Sequence, residues 1–316
     1  MRLLQLSLVF LIVYSCLADQ LQDGNQAQVT FVNFHSEDIT LYFKKHQSDG
    51  ELIELAVMKT FEMKIEDTYL GHKFVYKYHD GYSEELLVED QNQVFGFGPN
   101  EFIVTCSTTE GDIRMFVFPE MAVIGAARFL ELVSSGYYDG SALHRVVPNF
   151  LTQFGISPDY EMRTTYRHLT IPDDENLEYS FEEGYLSFAG SGKDSRSTEV
   201  FIVMPGASED QLEAFGDNSW ETPFGYLFMS DVINVASKWY SYGDMPPWGE
   251  GPDPRLIYEE NGYNYLQKEF PELSFIENCE ITSFNSTPMY EDDDDDDYYD
   301  DDDDAYGEDT EEEEEL

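Results

Sequence analysis

Between residues 29 and 88 apolar side chains recur at every second position: Val29-Phe31, Ile39-Leu41-Phe43, Phe61-Met63-Ile65 against Glu62-Lys64-Glu66, and Phe74-Tyr76-Tyr78 against Lys73 and Lys77. A period of two sends successive side chains to opposite faces of an extended chain, so these runs predict half-buried strands and not helices. Ser48-Asp49-Gly50 and His79-Asp80-Gly81 supply turn chemistry between them. Several short strands at regular spacing predict a small β-sandwich of roughly 70 residues, placed at 19–97. Gly96, Gly98 and Pro99 interrupt the pattern and mark 91–100 as a linker.

The second domain is placed at 98–286. Phe102-Ile-Val-Thr-Cys106, a Glu110-Gly111-Asp112 turn and Ile113-Arg-Met-Phe-Val117 read as a hairpin. Pro119 is expected to open a helix, because a first-turn proline gives up no hydrogen bond. Val123, Ala126, Ala127, Leu130 and Val133 then form one apolar helical face. Strand signals follow at 142–147, 184–189, 200–203 and 279–284, with a second amphipathic helix near 232–240. Strands that open and close the domain with helices between them suit a barrel capped by helices, and the fold class is mainly β.

The ends of the chain differ from its middle. Met1-Arg2, an apolar run over 3–14 and Cys16-Leu17-Ala18 read as a secretory signal peptide of residues 1–18, cleaved after Ala18. The run is shorter than the ~20 residues needed to span a bilayer. The expected location is the secretory pathway, the ER lumen or outside the cell, with no membrane span after cleavage. The formal net charge is −48, and the last 26 residues carry 19 of the acids and no Lys or Arg. A charge of that sign excludes a simple nucleic-acid binder, which grips phosphates with cations. Residues 287–316 are expected to be a disordered acidic tail. It is either a solvated, solubilising segment or a diffuse Ca²⁺ binder through carboxylates such as Asp292, Asp300 and Glu311, without the ligand spacing of a built loop. Its final Glu-Leu is all it shares with ER-retrieval tetrapeptides, and Asn285-Ser-Thr287 is a glycosylation acceptor weakened by Pro288. After cleavage only Cys106 and Cys279 remain, as one disulfide or as two buried thiols. No metal site is expected, since the six histidines show no ligand spacing with cysteines. Ala189-Gly-Ser-Gly-Lys193 lacks the spacing of a phosphate loop.

Leu143-His-Arg-Val-Val-Pro-Asn-Phe-Leu-Thr-Gln153 resembles the active-site segment of the cyclophilins. Flanking stretches agree in order: Ser135-Gly-Tyr-Tyr-Asp-Gly140, Gly184-Tyr-Leu-Ser-Phe-Ala189 and Pro223-Phe-Gly225. The resemblance covers 102–284 and implies an eight-stranded antiparallel barrel closed by helices. It also implies peptidyl-prolyl cis–trans isomerisation of proline-containing peptides or proteins, a reaction that needs no cofactor. By the same resemblance Arg145 would donate to the prolyl nitrogen, Phe150 and Phe201 would wall the proline pocket, Gln153 would hold a peptide carbonyl and Ala189 would form the rim. Cys106 and Cys279 would lie on neighbouring first and last strands, within reach of a disulfide.

Two positions depart from the family. Glu221 occupies the place of a histidine and Glu199 that of a glutamine. Both would stand beside Arg145, where a carboxylate pins a guanidinium in a bidentate pair and lowers activity. Phe215 or Trp220 would replace the lost ring. The competing class is a cyclophilin-fold scaffold that docks proline peptides without catalysis. In the first domain, Thr68-Tyr-Leu-Gly-His-Lys-Phe74 resembles the hydroxyproline-binding stretch of the von Hippel–Lindau β domain, which implies a pocket at Thr68, His72 and Phe74. The alternative is a sandwich in which His72 caps or packs at a strand edge.

Overall fold

A computed structural model describes residues 25–46, 50–175, 179–218 and 220–285. The expected signal peptide, the expected acidic tail with Asp292, Asp300 and Glu311, and Ser286 and Thr287 of the expected glycosylation acceptor lie outside the described residues. Among the described residues no helix is long and apolar enough to cross a membrane.

Seven strands build the first domain: β1 Gln26–Asn33, β2 Ile39–Lys44, β3 Leu52–Met58, β4 Met63–Tyr69, β5 Lys73–Lys77, β6 Ser83–Leu87 and β7 Val94–Phe97. They form two sheets, β4-β1-β7 and β3-β2-β5-β6. Val29 and Phe31 of one sheet meet Ile39, Leu41, Phe74 and Tyr76 of the other in a shared apolar core, as the alternating pattern requires. The turn at 79–81 joins β5 to β6, with Gly81 at φ +91°, a conformation glycine adopts without strain.

Two details of the first domain differ from the sequence reading. Phe61 and Ile65 do not share a strand face: Phe61 is a turn residue at φ +61° and buried, whereas Ile65 is exposed. The expected linker contains β7, which pairs in parallel with β1. The reason is that β1 is buried on both faces from Val29 onward. Phe31 points into the sandwich, while Val32, with Phe34 and Phe61 beyond it, joins the core of the second domain, where Phe34 packs 6.0 Å from Phe102 between ring centroids.

The second domain holds β8 Glu101–Thr108, β9 Gly111–Val117, β10 Arg145–Val147, β11 Leu151–Phe154, β12 Tyr185–Phe188, β13 Val200–Val203, β14 Pro223–Leu227 and β15 Ile276–Asn285. Hydrogen bonding orders them β10-β11-β13-β12-β14-β9-β8-β15, all antiparallel. The sheet curls until its ends meet just before β10 and β15: Ala142 bridges Phe275, Leu143 N–H donates to Ser274 O at 3.0 Å, and Ile276 N–H donates to Ser141 O at 2.8 Å. Cys106 and Cys279 are paired in register on β8 and β15 with Cα atoms 4.1 Å apart, and they form the expected disulfide.

Among the described residues six helices accompany the barrel: α1 Val123–Ser134, α2 Tyr160–Tyr166, α3 Glu209–Ala214, α4 Met229–Asn234, α5 Pro254–Ile257 and α6 Gly262–Glu269. Helix α1 packs on β14 and β15 on one side and reaches β1 and β7 on the other, so it joins the two domains. It starts four residues after Pro119. Ala122 offers no capping side chain, and the free amides of Ile124 and Gly125 are taken at 2.7 and 2.8 Å by the buried carboxylate of Asp174, itself paired with buried Arg196 at 2.9 Å. The helix expected near 232–240 is instead the short α4 followed by one 3₁₀ turn at Ala236–Lys238.

Candidate active site

Antiparallel pairing brings the expected residues into one row. Arg145 on β10 lies opposite Gln153 on β11, Gln153 opposite Phe201 on β13, and Phe201 opposite Ser187 on β12. Directly opposed residues project from the same face of a sheet, so the guanidinium, the amide and the ring stand side by side. Phe150 comes from the tight turn between β10 and β11, next to Asn149 at φ +59°. Its ring lies 5.7 Å from the Arg145 guanidinium. Ala189, at the end of β12, packs in the same apolar cluster as Phe150 and Phe201.

Phe215, the residue that ends α3, stacks on Phe150 at 5.4 Å and on Phe201 at 5.1 Å between centroids, with Phe181 behind at 5.5 Å from Phe215. Of the two candidates for the lost ring, it is the one in contact with Phe150 and Phe201. Trp220 instead lies against the backbone of Gly190, where an added Cβ would come within 2.4 Å of its ring. Helix α3 is fixed by a capping box between Ser208 and Gln211, a local signal present in the sequence but not read there.

Neither Glu199 nor Glu221 pins Arg145. Glu221 accepts from Gly216 N–H at 3.2 Å and from Asn218 Nδ2 at 3.1 Å, closing the loop after α3. The chain between β13 and β14 is long enough to fold its own helix and turn, and Glu221 is used there. Glu199 accepts from Gln153 Nε2 at 2.8 Å and from the Tyr258 hydroxyl at 3.0 Å, and His144 Nε2 is 3.4 Å away. These contacts orient the Gln153 amide, because a carboxylate accepts only from the NH₂ end and so turns Oε1 toward Arg145. Arg145 Nη1 donates to that Oε1 at 3.2 Å.

The carboxylate that does pair with Arg145 is Asp244, in the loop between α4 and α5: Nε donates to Oδ1 at 2.7 Å and Nη2 to Oδ2 at 3.1 Å. Asp244 and Tyr258 were missed because both are far from the motif in sequence and adjoin it only through the fold.

Burial works against the Glu199 charge, but the His144 ring, the Tyr258 hydroxyl and the Gln153 amide more than offset it and hold the carboxyl below its ordinary range. A carboxylate with a folded pKa below its unfolded value stabilises the protein fully above that unfolded value, about 4.5, and loses the contribution as pH falls through the folded one. Glu199→Gln is therefore expected to lower the urea midpoint near neutrality and to converge on the wild type as pH falls below 4.5 and through the lowered folded pKa. Parallel midpoints at every pH would contradict this.

In the first domain Thr68 Oγ1 and His72 Nδ1 share a hydrogen bond at 2.9 Å, and burial lowers the His72 pKa. Phe74 is only 2% exposed and packs against Phe31 and Phe43. The three residues are neighbours, but Phe74 is part of the sandwich core. Among the described residues no group of His, Cys, Asp and Glu is placed to hold a metal ion.

A curled antiparallel sheet carrying a guanidinium, an amide and an aromatic ring in one row, with two further rings stacked beside them from a turn and a helix end, defines the class of barrel-like sheet proteins with an apolar site on one sheet face. Residues 103–239 match the family model for cyclophilin type peptidyl-prolyl cis-trans isomerase. A Staphylococcus haemolyticus protein named "Putative peptidyl-prolyl cis-trans isomerase" is 30% identical over 143 residues, which cover 44% of this chain and 70% of that protein. A Staphylococcus epidermidis protein of the same name is 32% identical over 126 residues, 39% of this chain and 64% of that protein. The chain thus spans somewhat under two thirds of the second relative. A crystal structure of a Cryptosporidium parvum cyclophilin type peptidyl-prolyl cis-trans isomerase is 20% identical and covers 58% of this chain and 98% of its own, with a TM-score of 0.41. The chain belongs to the cyclophilin-type peptidyl-prolyl isomerase family.

Proposed function

We propose that the protein is a peptidyl-prolyl cis–trans isomerase of the secretory pathway that assists the folding of proline-containing clients. The observation that carries this reading is the Arg145 guanidinium, held beside Phe150, Phe201 and Phe215 with donors to spare. A guanidinium has five N–H groups. Among the described residues, Asp244 and Gln153 take three of those of Arg145, which leaves two for a substrate.

Rotation about an X-Pro bond is slowed chiefly by amide resonance, a barrier of roughly 18–20 kcal/mol. At the twisted geometry the prolyl nitrogen regains its lone pair. An N–H directed at that nitrogen is accepted far better there than in the planar amide, so the contact lowers the barrier more than it strengthens binding. The three rings hold the pyrrolidine, and Gln153 keeps an Nε2 hydrogen for a peptide carbonyl. No covalent intermediate is needed.

Phe215→Ala is expected to raise KM for a short X-Pro peptide about tenfold, the cost of removing one half-buried aromatic wall, with kcat changed much less. An unchanged KM would remove Phe215 from the pocket. We place the sandwich beside this activity as a second proline- or hydroxyproline-recognition module at Thr68, His72 and Phe74, and the acidic tail as a loose Ca²⁺ binder. Calorimetric titration of the full chain with a hydroxyproline peptide and with Ca²⁺ tests each, and absence of heat discards the one concerned.

A further inference from the structure

We propose that Asp244 is a positioning residue for Arg145, and that residues 241–251 are the bracket that presents it. The inference rests on the isomerase reading of the Arg145 site. Asp244 meets the guanidinium edge-on through two near-parallel hydrogen bonds, Nε to Oδ1 and Nη2 to Oδ2. That geometry fixes both the plane and the direction of the group, which a single contact does not. The paired side chains are 13% and 21% exposed, so the contact is largely shielded from water.

The bracket is anchored to the strand that carries Arg145. Gly243 bridges Val146 on β10, Ser241 Oγ donates to Val146 O at 2.5 Å, and Gly243 N–H donates to Ser241 Oγ at 3.1 Å. Asp244 Oδ1 also accepts from Met245 N–H at 2.7 Å, and the Asp244 carbonyl accepts from Gly251 N–H at 2.9 Å. The returning chain lies directly on that carbonyl. A Cβ at Gly249 would sit 2.3 Å from it, and one at Gly251 2.9 Å from it, so only glycine fits at either place. The Asp244 backbone is thus fixed by the anchor to β10 and by the returning chain, and its carboxylate is oriented by Met245 N–H, before any substrate arrives.

With Nε and one Nη2 hydrogen on Asp244 and one Nη1 hydrogen on Gln153, the unspent donors are one on each terminal nitrogen. Asp244 therefore orients the group instead of consuming it. Without Asp244, the long and rotamer-rich Arg145 side chain keeps its charge and loses its aim.

The test is a double-mutant cycle on the full chain, with kcat and KM for a short X-Pro peptide measured for wild type, Asp244→Ala, Arg145→Ala and the double variant. Asp244→Asn serves as a second probe that preserves shape and the acceptor for Met245. Asp244→Ala is expected to lower kcat by about ten- to a hundred-fold, the cost of a misaligned group, with KM within about twofold. Asp244→Asn should fall between it and the wild type. In the Arg145→Ala background, removal of Asp244 should have no further effect, because the residue acts only through Arg145. A wild-type kcat for both Asp244 variants, or an equal loss in the two backgrounds, overturns the proposal and leaves the isomerase reading intact. A wild-type rate for Arg145→Ala instead removes the isomerase reading, and the positioning role with it.

Discussion

Arg145→Ala is expected to lower kcat for an X-Pro peptide by about 10²- to 10³-fold, the range seen when one preorganised transition-state donor is removed. KM should move little, because the planar amide accepts poorly and gains little from this donor in the ground state. Arg145→Lys should recover part of the loss. Its ammonium keeps the charge but cannot hold Asp244 along one edge while reaching the substrate with another. Phe150, Phe201 and Phe215 remain in both variants, so binding of the peptide serves as the internal control. A variant that loses binding together with catalysis would mean that the guanidinium supports the pocket and does not act on the prolyl nitrogen.

The second large effect concerns stability. The Cys106–Cys279 bridge closes 173 residues of chain, nearly the whole second domain. Constraining a loop of that length in the unfolded state contributes about 5 kcal/mol by the chain-entropy relation, an upper figure for a denatured chain that retains some structure. Cys106→Ala with Cys279→Ser should therefore lower the urea midpoint markedly, and a reductant should shift the wild type toward the same value. The alanine is chosen because Cys106 is fully buried among the barrel core, where a serine hydroxyl would add its own cost. Equal midpoints for the variant and the oxidised wild type would show that the bridge does not stabilise the fold.

Much of the barrel was legible because its signals are local. The hairpin of β8 and β9 and the facing of Arg145 by Gln153 follow from contiguous segments, whereas the place of Phe201 and the pairing of the two cysteines, 173 residues apart, were implied by the family resemblance alone. The sandwich was legible for the same reason: Ile39, Leu41 and Phe43 alternate in sequence and in burial. What the sequence hid depends on contacts between distant segments. Asp174 caps α1 from 50 residues away, and Asp244 holds Arg145 from 99 residues away. No spacing rule connects either pair. The alternation in β1 fails at Val32 because that strand serves two cores, and a period-two reading allows for only one. Glu221 was placed beside Arg145 by position in a resemblance, whereas the longer segment before β14 uses it to close a turn. The acids expected to block the site thus do other work, and the acid that reaches Arg145 leaves it two donors.

Whether those two donors accelerate isomerisation is read directly by exchange NMR on a short X-Pro peptide. With the full-length protein at a small fraction of the peptide concentration, cross-peaks between the cis and trans forms are predicted within seconds, far faster than the uncatalysed tens to hundreds of seconds, and Arg145→Ala should abolish them. Line broadening from binding with no acceleration of exchange in the wild type would contradict the account and leave a protein that only docks proline peptides.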